Sequence, residues 1–184
     1  MIVYLHGFNS SPQSHKARLL QRYMGERGLE RDFACPALPP EPRAAVRAIR
    51  DLVGRQAVCY VGSSLGGFYA TYLVEAQGGK AVLINPAIEP HVGLRSYLGP
   101  QRNLYTGEPY ELTQAHLEEW RELYVSHITA QRYLLLVETA DEVLDYRQAV
   151  KRYASAEQIV IEGGDHSLRS FPEHLATILR FAGY

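Results

Sequence analysis

The sequence has few of the features that direct a chain to an oxidising compartment, a metal ion or a membrane. Only Cys35 and Cys59 among its 184 residues are cysteines. Their spacing matches no zinc or redox motif, and we expect two buried free thiols rather than a disulfide. No segment approaches the ~20 apolar residues of a membrane-spanning helix. The segment from Met1 to Gly7 also lacks the basic region and apolar stretch of a signal peptide. These absences predict a cytoplasmic protein without membrane insertion.

An excess of charge of either sign is also missing. Lys and Arg number 19 and Asp and Glu number 20, so the formal net charge is −1. This balance gives no electrostatic reason to expect nucleic acid or an anionic membrane as a partner. The sequence contains neither GxGxxG nor a P-loop lysine, which argues against nucleotide binding. With 46% hydrophobic residues, the chain is typical of a single globular domain over residues 1–184.

Short apolar segments alternate with longer amphipathic ones along the chain. The apolar segments are brief and uninterrupted, as in parallel strands covered on both faces. The predicted strands are Ile2–Leu5, Asp32–Cys35, Ala57–Val61, Ala81–Ile84, Tyr133–Val137 and Gln158–Ile161. Helical periodicity follows Pro42, and helices are predicted over Phe68–Glu75, Thr113–Val125 and Tyr146–Tyr153. Ser170 and Glu173 resemble a capping box that opens the last helix. The alternation predicts a doubly wound α/β fold with a mostly parallel sheet of about six strands.

One segment, about 86–129, interrupts this alternation. It shows no strand pattern and begins with a loop rich in Gly and Pro before a helical pattern. We predict a short helical cap over the mouth of the site. Seven apolar side chains in it are candidates either for lining an acyl pocket or for packing the cap onto the domain, namely Leu94, Tyr97, Leu98, Leu104, Tyr105, Trp120 and Tyr124.

The segment GSSLG at 62–66 lies between a predicted strand and a predicted helix. This is the context of a nucleophile elbow, a sharp turn that exposes a serine at the carboxyl edge of the sheet. The turn requires small residues two positions before and after the serine, and Gly62 and Gly66 occupy them. The structural alternative is a tight strand-to-helix turn without a catalytic role. We predict that Ser64 is a nucleophile.

A serine nucleophile needs a base, and a carboxylate must orient that base. Of seven histidines, only His166 follows the final strand in a short loop, while His15 and His91 are weaker candidates near the mouth. Asp141 follows the preceding strand most closely and is the predicted acid, with Glu142 as the reserve. Asp145 suits a helix N-cap better. The order Ser64, Asp141, His166 is the one expected for this fold.

The loop after the first strand is predicted to serve the oxyanion hole. In this fold one backbone N–H comes from that loop and the other from the residue after the nucleophile. The two donors are then Phe8 and Leu65. His6 lies beside them and is predicted to be a hydrogen-bonded structural histidine rather than a proton carrier.

Several separated motifs together resemble those of the small bacterial YqiA-like esterases. They are YLHGFNSSP at 4–12, GSSLGG at 62–67, LINPA at 83–87, DEVLDY at 141–146 and GGDH at 163–166. The resemblance spans essentially the whole chain. It implies an esterase of the α/β-hydrolase superfamily that lacks the first two strands of the full-sized fold, and it matches Ser64, Asp141 and His166 position by position.

The predicted function is hydrolysis of a small-molecule carboxylic ester or acyl thioester through an acyl-serine intermediate. This chemistry uses no metal and no organic cofactor. The alternative is a hydrolase-like binding protein whose pocket holds a small molecule without turning it over. An intact set of serine, histidine and aspartate argues against that alternative, because a receptor has no need of all three.

Overall fold

The structure is built on a six-stranded parallel sheet. A computed structural model describes residues 1–184. The strands of this sheet are β1 Ile2–Leu5, β2 Phe33–Ala34, β3 Cys59–Ser63, β4 Lys80–Ile84, β7 Tyr133–Glu138 and β8 Glu157–Ile161. They lie in the order β2-β1-β3-β4-β7-β8, and every neighbouring pair is parallel. A separate antiparallel hairpin consists of β5 Gly99–Arg102 and β6 Pro109–Leu112.

The structure contains seven α-helices, most of which flank the sheet. They are α1 His15–Gly25, α2 Pro42–Val53, α3 Leu65–Gln77, α4 Pro90–Gly93, α5 Gln114–Glu122, α6 Tyr146–Arg152 and α7 Leu175–Ala182. Because side chains alternate along a strand, Val3 and Leu5 pack with α2 and α3 while Ile2 and Tyr4 pack with α1 and α7. The predicted doubly wound α/β fold is confirmed. No end of a predicted strand differs from the observed one by more than two residues.

The prediction that 86–129 contains no strand is wrong. It contains the β5–β6 hairpin, in which Gly99 pairs with Leu112 and Arg102 with Pro109. The sequences GPQR and PYEL lack the β-branched residues typical of strands and contain proline, which lacks a backbone donor and is confined to edge positions. The hairpin has only two strands, so both are edges, and the apolar pattern that marks buried strands is absent.

The start of the last helix also differs from its prediction. A 3₁₀ turn covers Phe171–His174, and α7 begins only at Leu175. Ser170 does not form the predicted capping box, because its backbone N–H and its hydroxyl both donate to Glu138. The predicted buried stripe of α7, Leu175, Ile178 and Leu179, is confirmed.

Both cysteines are free, as predicted. Cys59 is buried, and Cys35 is half-buried rather than buried. Burial raises the pKa of each thiol to about 12, so both are protonated and unreactive near neutral pH. No helix in the structure combines the length and the apolar character that crossing a membrane requires.

Candidate active site

Ser64 lies in a strained turn between β3 and α3. Its φ of 53° and ψ of −120° place it in a region that side-chain-bearing residues rarely occupy. A Cβ on Gly66 would collide with the carbonyl of Leu5, and one on Gly62 would collide with the backbone of Gly66. The two glycines therefore allow α3 to begin directly against β1 and β3. This is the geometry of a nucleophile elbow.

Backbone strain is concentrated around this edge of the sheet. Four non-glycine residues have positive φ, and each lies in a loop after a strand: Asn9 after β1, Ser64 after β3, Asn85 after β4 and Leu168 after β8. Such a conformation costs about 1–3 kcal/mol per residue and persists only where surrounding contacts impose it. The concentration of strain at one edge marks that edge as a candidate site.

His166 and Asp141 are joined by a hydrogen bond. The distance from His166 Nδ1 to Asp141 Oδ2 is 2.8 Å. The Asp141 side chain is only 1% exposed and that of His166 is 22% exposed. Since an ionised carboxylate only accepts hydrogen bonds, Nδ1 carries a proton, and in the neutral imidazole Nε2 is then the nitrogen with the lone pair. The predicted acid and base are therefore neighbours with the tautomer that a general base requires.

The other oxygen of Asp141 is also engaged. Oδ1 accepts hydrogen bonds from the N–H groups of Val143 and Leu144, both at 2.8 Å. Burial opposes ionisation of Asp141, but the hydrogen bond from His166 and those from the backbone outweigh it and lower the pKa of Asp141 below its usual value. Asp141 is thus ionised near neutral pH and its orientation is fixed.

Ser64 and His166 are linked through the loop after β4. The Ser64 N–H donates to Ile84 O, and the Ala87 N–H donates to Ser64 O. Asn85 lies between Ile84 and Ala87 in the chain, and its Nδ2 donates to the carbonyls of Asp165 and His166, each at 3.1 Å. No hydrogen bond joins His166 to Ser64 Oγ; catalytic hydrogen bonds of this kind are often long before substrate binds. Asn85 therefore ties the histidine loop to the strand beside the serine.

Glu138, at the end of β7, is hydrogen-bonded to the loop that carries His166, which we call the histidine loop. Its side chain accepts hydrogen bonds from the N–H groups of Asp165, Arg169 and Ser170 and from the Ser170 hydroxyl, at 2.7–3.0 Å. Glu138 itself is 1% exposed. A Cβ on Gly164, which has a φ of +75°, would overlap the Glu138 carboxylate. A buried carboxylate thus organises the whole segment that carries His166.

The loop after β1 lies against Ser64. A Cβ on Gly7 would be 3.2 Å from Ser64 Cβ and 3.7 Å from Ser64 Oγ. The next N–H, that of Phe8, donates to no other backbone group. Leu65 is the first residue of α3, so its N–H has no acceptor within the helix. The two N–H groups predicted for an oxyanion hole therefore belong to segments on either side of Gly7 and Ser64, and both are available to a ligand.

His6 differs from His166 in its contacts. Its Nε2 accepts the Leu38 N–H at 3.2 Å, and its Nδ1 lies 3.1 Å from Gly7 O. Both ring nitrogens are therefore bonded to the backbone, with the proton on Nδ1. Burial lowers the pKa of His6, so the ring stays neutral. These contacts agree with the predicted structural role.

The remaining carboxylate candidates have local roles. Asp145 Oδ1 accepts the Arg147 N–H and caps α6, as predicted. Glu142 does not touch the imidazole; its carboxylate accepts the backbone N–H of His166 at 3.0 Å. Neither one competes with Asp141 for His166 Nδ1.

A cavity of about 480 Å³ opens beside the two candidate oxyanion donors. Phe8 and Leu65 line it together with Tyr69 and Trp120, whose polar atoms bond to each other at 2.9 Å. The β5–β6 hairpin contributes Tyr110, so the insertion borders this cavity. Of the seven apolar residues considered for this role, only Trp120 lines the cavity, and Leu98, Leu104 and Tyr105 are exposed.

Asn85 and Glu138 are the residues that sequence reasoning missed. Each is a polar residue at the carboxyl end of an apolar strand, and that position was a usable signal. Their partners are backbone groups of residues 165–170, which a motif search does not reveal. As for metals, no group of three or more His, Cys, Asp or Glu side chains in the structure is arranged to hold an ion.

Comparison with known proteins places the chain in a family. The model of an uncharacterised protein family, UPF0227, matches residues 1–183. The chain belongs to UPF0227. A UPF0227 protein from Serratia proteamaculans is 27% identical over an alignment of 191 positions, which covers 98% of each chain. The predicted family resemblance is confirmed.

Solved structures confirm the α/β-hydrolase fold of this UPF0227 protein. Mouse alpha/beta hydrolase domain-containing protein 10 aligns with a TM-score of 0.73 at 17% identity, covering 97% of this chain and 88% of its own. Est1E from Butyrivibrio proteoclasticus gives 0.68 at 14%, covering 98% and 85%. A monoacylglycerol lipase from Paleococcus ferrophilus gives 0.68 at 15%, covering 98% and 93%. At these identities the likeness establishes the fold.

Proposed function

We propose that this UPF0227 protein is a serine hydrolase that cleaves a carboxylic ester or acyl thioester through an acyl-serine intermediate. The observation that carries the proposal is the His166–Asp141 hydrogen bond of 2.8 Å at the sheet edge where Ser64 occupies a strained elbow. That the structural relatives include a monoacylglycerol lipase and an alpha/beta hydrolase domain-containing protein supports it. Ser64, Asp141 and His166 are the proposed catalytic residues.

The first half-reaction acylates the serine. His166 Nε2 takes the Ser64 hydroxyl proton while Oγ attacks the acyl carbon, and the carbonyl π electrons move onto oxygen. The N–H groups of Phe8 and Leu65 donate to that oxyanion, and the positive end of the α3 dipole stabilises it. The intermediate then collapses, the bond from carbon to the leaving group breaks, and His166 returns its proton to the departing alcohol or thiol.

The second half-reaction repeats these steps with water. His166 takes a proton from water as the water oxygen attacks the acyl carbon. Collapse of the new intermediate breaks the bond from the acyl carbon to Ser64 Oγ and releases a carboxylic acid. Ser64 Oγ takes the proton back from His166. Asp141 keeps its negative charge throughout, because its role is to fix the imidazole tautomer and to stabilise the imidazolium.

A fluorophosphonate probe tests the proposal. Such a probe should label the wild-type protein at Ser64, and the Ser64→Ala variant should lose labelling and about 10⁶-fold of its ester turnover while staying folded. Ser63→Ala is the matched control and should still be labelled at Ser64. Normal turnover by Ser64→Ala, or labelling at Ser63, would overturn the assignment. Binding of esters without labelling or turnover by the wild type would identify a binding protein instead.

A further inference from the structure

The cavity beside the oxyanion donors has walls of distinctive electrostatic character. Its lining contains no Lys and no Arg, although the protein has 19 of these residues. Two carboxylates, Glu41 and Glu108, belong to the lining. Neither has an ion-pair partner within 4.0 Å, since the four ion pairs of the protein involve other acids. The wall of the cavity therefore carries two carboxylates, both exposed to solvent, and no Lys or Arg side chain.

The only ionisable side-chain nitrogens in the wall belong to His6, and they add no positive charge. His6 lines the cavity, but its Nε2 accepts the Leu38 N–H. Protonation would break that hydrogen bond, and burial lowers the pKa of the ring. His6 is therefore neutral at physiological pH and offers no positive charge to a ligand.

Several polar donors in the wall are already bound to other protein groups. The Tyr110 hydroxyl donates to Asn9 Oδ1 at 2.6 Å, and Asn9 Nδ2 donates to Gln101 at 3.1 Å. Asn103 Nδ2 donates to Ser10 O at 2.8 Å, and Trp120 Nε1 donates to the Tyr69 hydroxyl. An anionic ligand would lose its water shell here without finding these donors free, and such burial is costly.

We propose that this cavity is the acyl pocket and that it selects uncharged or cationic acyl groups against acyl groups that end in an anion. The inference rests on the proposed function and adds the charge class of the substrate. The acyl carbonyl binds at the Phe8 and Leu65 N–H groups, and the chain extends over Tyr69 and Trp120. Glu41 and Glu108 repel a terminal carboxylate or phosphate on that chain.

Three para-nitrophenyl esters with chains of matched length test the inference. They carry a hexanoyl group, an adipoyl group with a free carboxylate, and an ω-trimethylammonio-hexanoyl group, and spontaneous hydrolysis is subtracted for each. We expect kcat/KM for the adipoyl ester to be about tenfold or more below that for the hexanoyl ester, and salt should narrow the difference. The cationic ester should not suffer this loss.

Paired variants identify the source of the selectivity. Combining Glu41→Gln with Glu108→Gln should bring the adipoyl-to-hexanoyl ratio toward one. Combining Glu26→Gln with Glu157→Gln alters two exposed glutamates outside the cavity and changes net charge equally, yet should leave the ratio as in the wild type. Equal turnover of the neutral and anionic esters, or a ratio unmoved by the cavity pair, would overturn the inference.

A binding measurement separates this inference from the proposed function. Trp120 is the single tryptophan of the chain and lines the cavity, so its fluorescence reports occupancy without turnover. Hexanamide should change the emission at lower concentration than adipic acid monoamide does. If no ester is hydrolysed but this order holds, the charge selectivity stands and the hydrolase proposal fails. If the order is reversed or absent, the charge selectivity fails whatever the activity.

Discussion

The loop after β1 and the loop after β8 each carry a histidine at the same edge of the sheet, and the two imidazoles have different hydrogen-bond partners. In the first loop, both nitrogens of His6 are bonded to the backbone, at Gly7 and Leu38. In the second, His166 uses only Nδ1, on the buried carboxylate of Asp141, and Nε2 has no protein partner. An Nε2 without a protein partner is what distinguishes His166, the proposed base, from His6.

The two loops also differ in what holds them. The β1 loop is tied to the insertion, since Asn9 O accepts the Leu104 N–H and Asn9 Oδ1 accepts the Tyr110 hydroxyl. The β8 loop is tied to the sheet itself, through Asn85 and the buried carboxylate of Glu138. The proposed proton-transfer group, His166, is therefore held by residues at the ends of central strands, whereas the loop carrying Phe8 is bonded to the hairpin beside the cavity.

Replacing each histidine in turn should give the largest difference in activity between the two loops. His166→Ala should lower kcat by about 10⁶-fold, because it removes the proposed acceptor of the Ser64 proton. His6→Gln removes a hydrogen bond that orders the β1 loop, so it should reduce stability but keep the fall of kcat/KM in acid that marks a histidine base. Steady-state kinetics across pH, with circular dichroism as a check on folding, measures both. An active His166→Ala enzyme would pass the base role to His15 or His91.

Asp141→Asn should have the next largest effect. Two backbone N–H groups bind Oδ1, so the amide oxygen of the variant must stay there and its NH₂ must face His166 Nδ1. That arrangement forces the proton onto Nε2, where it blocks proton acceptance, and a loss of about 10⁴-fold in kcat is expected. Asp145→Asn, at an exposed helix cap, is the matched control and should retain most activity. A crippled Asp145→Asn with an active Asp141→Asn would reverse the choice of acid.

The features of this site that the sequence predicts are those whose residues are close in the chain or follow recognisable strands. The elbow at Ser64 is predictable because Gly62, Gly66 and the flanking elements are neighbours in the chain. The Asp141–His166 pair is predictable because both residues follow strands that end at one sheet edge. Glu138 was missed, since its role depends on hydrogen bonds to backbone groups about thirty residues later, at Arg169 and Ser170. The β5–β6 hairpin was missed because edge strands outside the core carry no apolar pattern.

Glu138→Gln tests whether the frame of the second loop positions its histidine. The variant keeps one acceptor oxygen but turns an NH₂ group toward backbone N–H donors, which costs about 1–3 kcal/mol in stability. A shift of the His166 loop by about 1 Å should lower kcat by up to about 100-fold. The matched control is Glu75→Gln, because Glu75 also accepts several hydrogen bonds, from Thr129 and Tyr133, but lies near the far end of α3. It should lose stability and keep its kcat at a temperature where it is folded.

We expect a small effect of Glu138 on the pH dependence of stability as well. Its burial opposes ionisation, but hydrogen bonds from the Ser170 and Asp165 N–H groups, the Ser170 hydroxyl and the Arg169 N–H outweigh it and lower the pKa of Glu138 below its ordinary value of 4.5. The unfolded state therefore binds this proton at higher pH than the folded state does. The stabilisation is complete above that ordinary value and is lost as pH falls through the folded value, with a slope of at most about 1.4 kcal/mol per pH unit.

Urea unfolding at a series of pH values from neutral to strongly acid measures that slope. The Glu138→Gln variant has no proton to gain, so its free energy of unfolding should fall less steeply in acid than that of the wild type. Part of the slope should remain, because Asp141 also has a lowered pKa through its bonds to His166 and the backbone. Glu157→Gln, an exposed change outside the site, should keep the wild-type slope. Parallel curves for the wild type and Glu138→Gln would mean that the carboxylate is not the ionised anchor of the histidine loop.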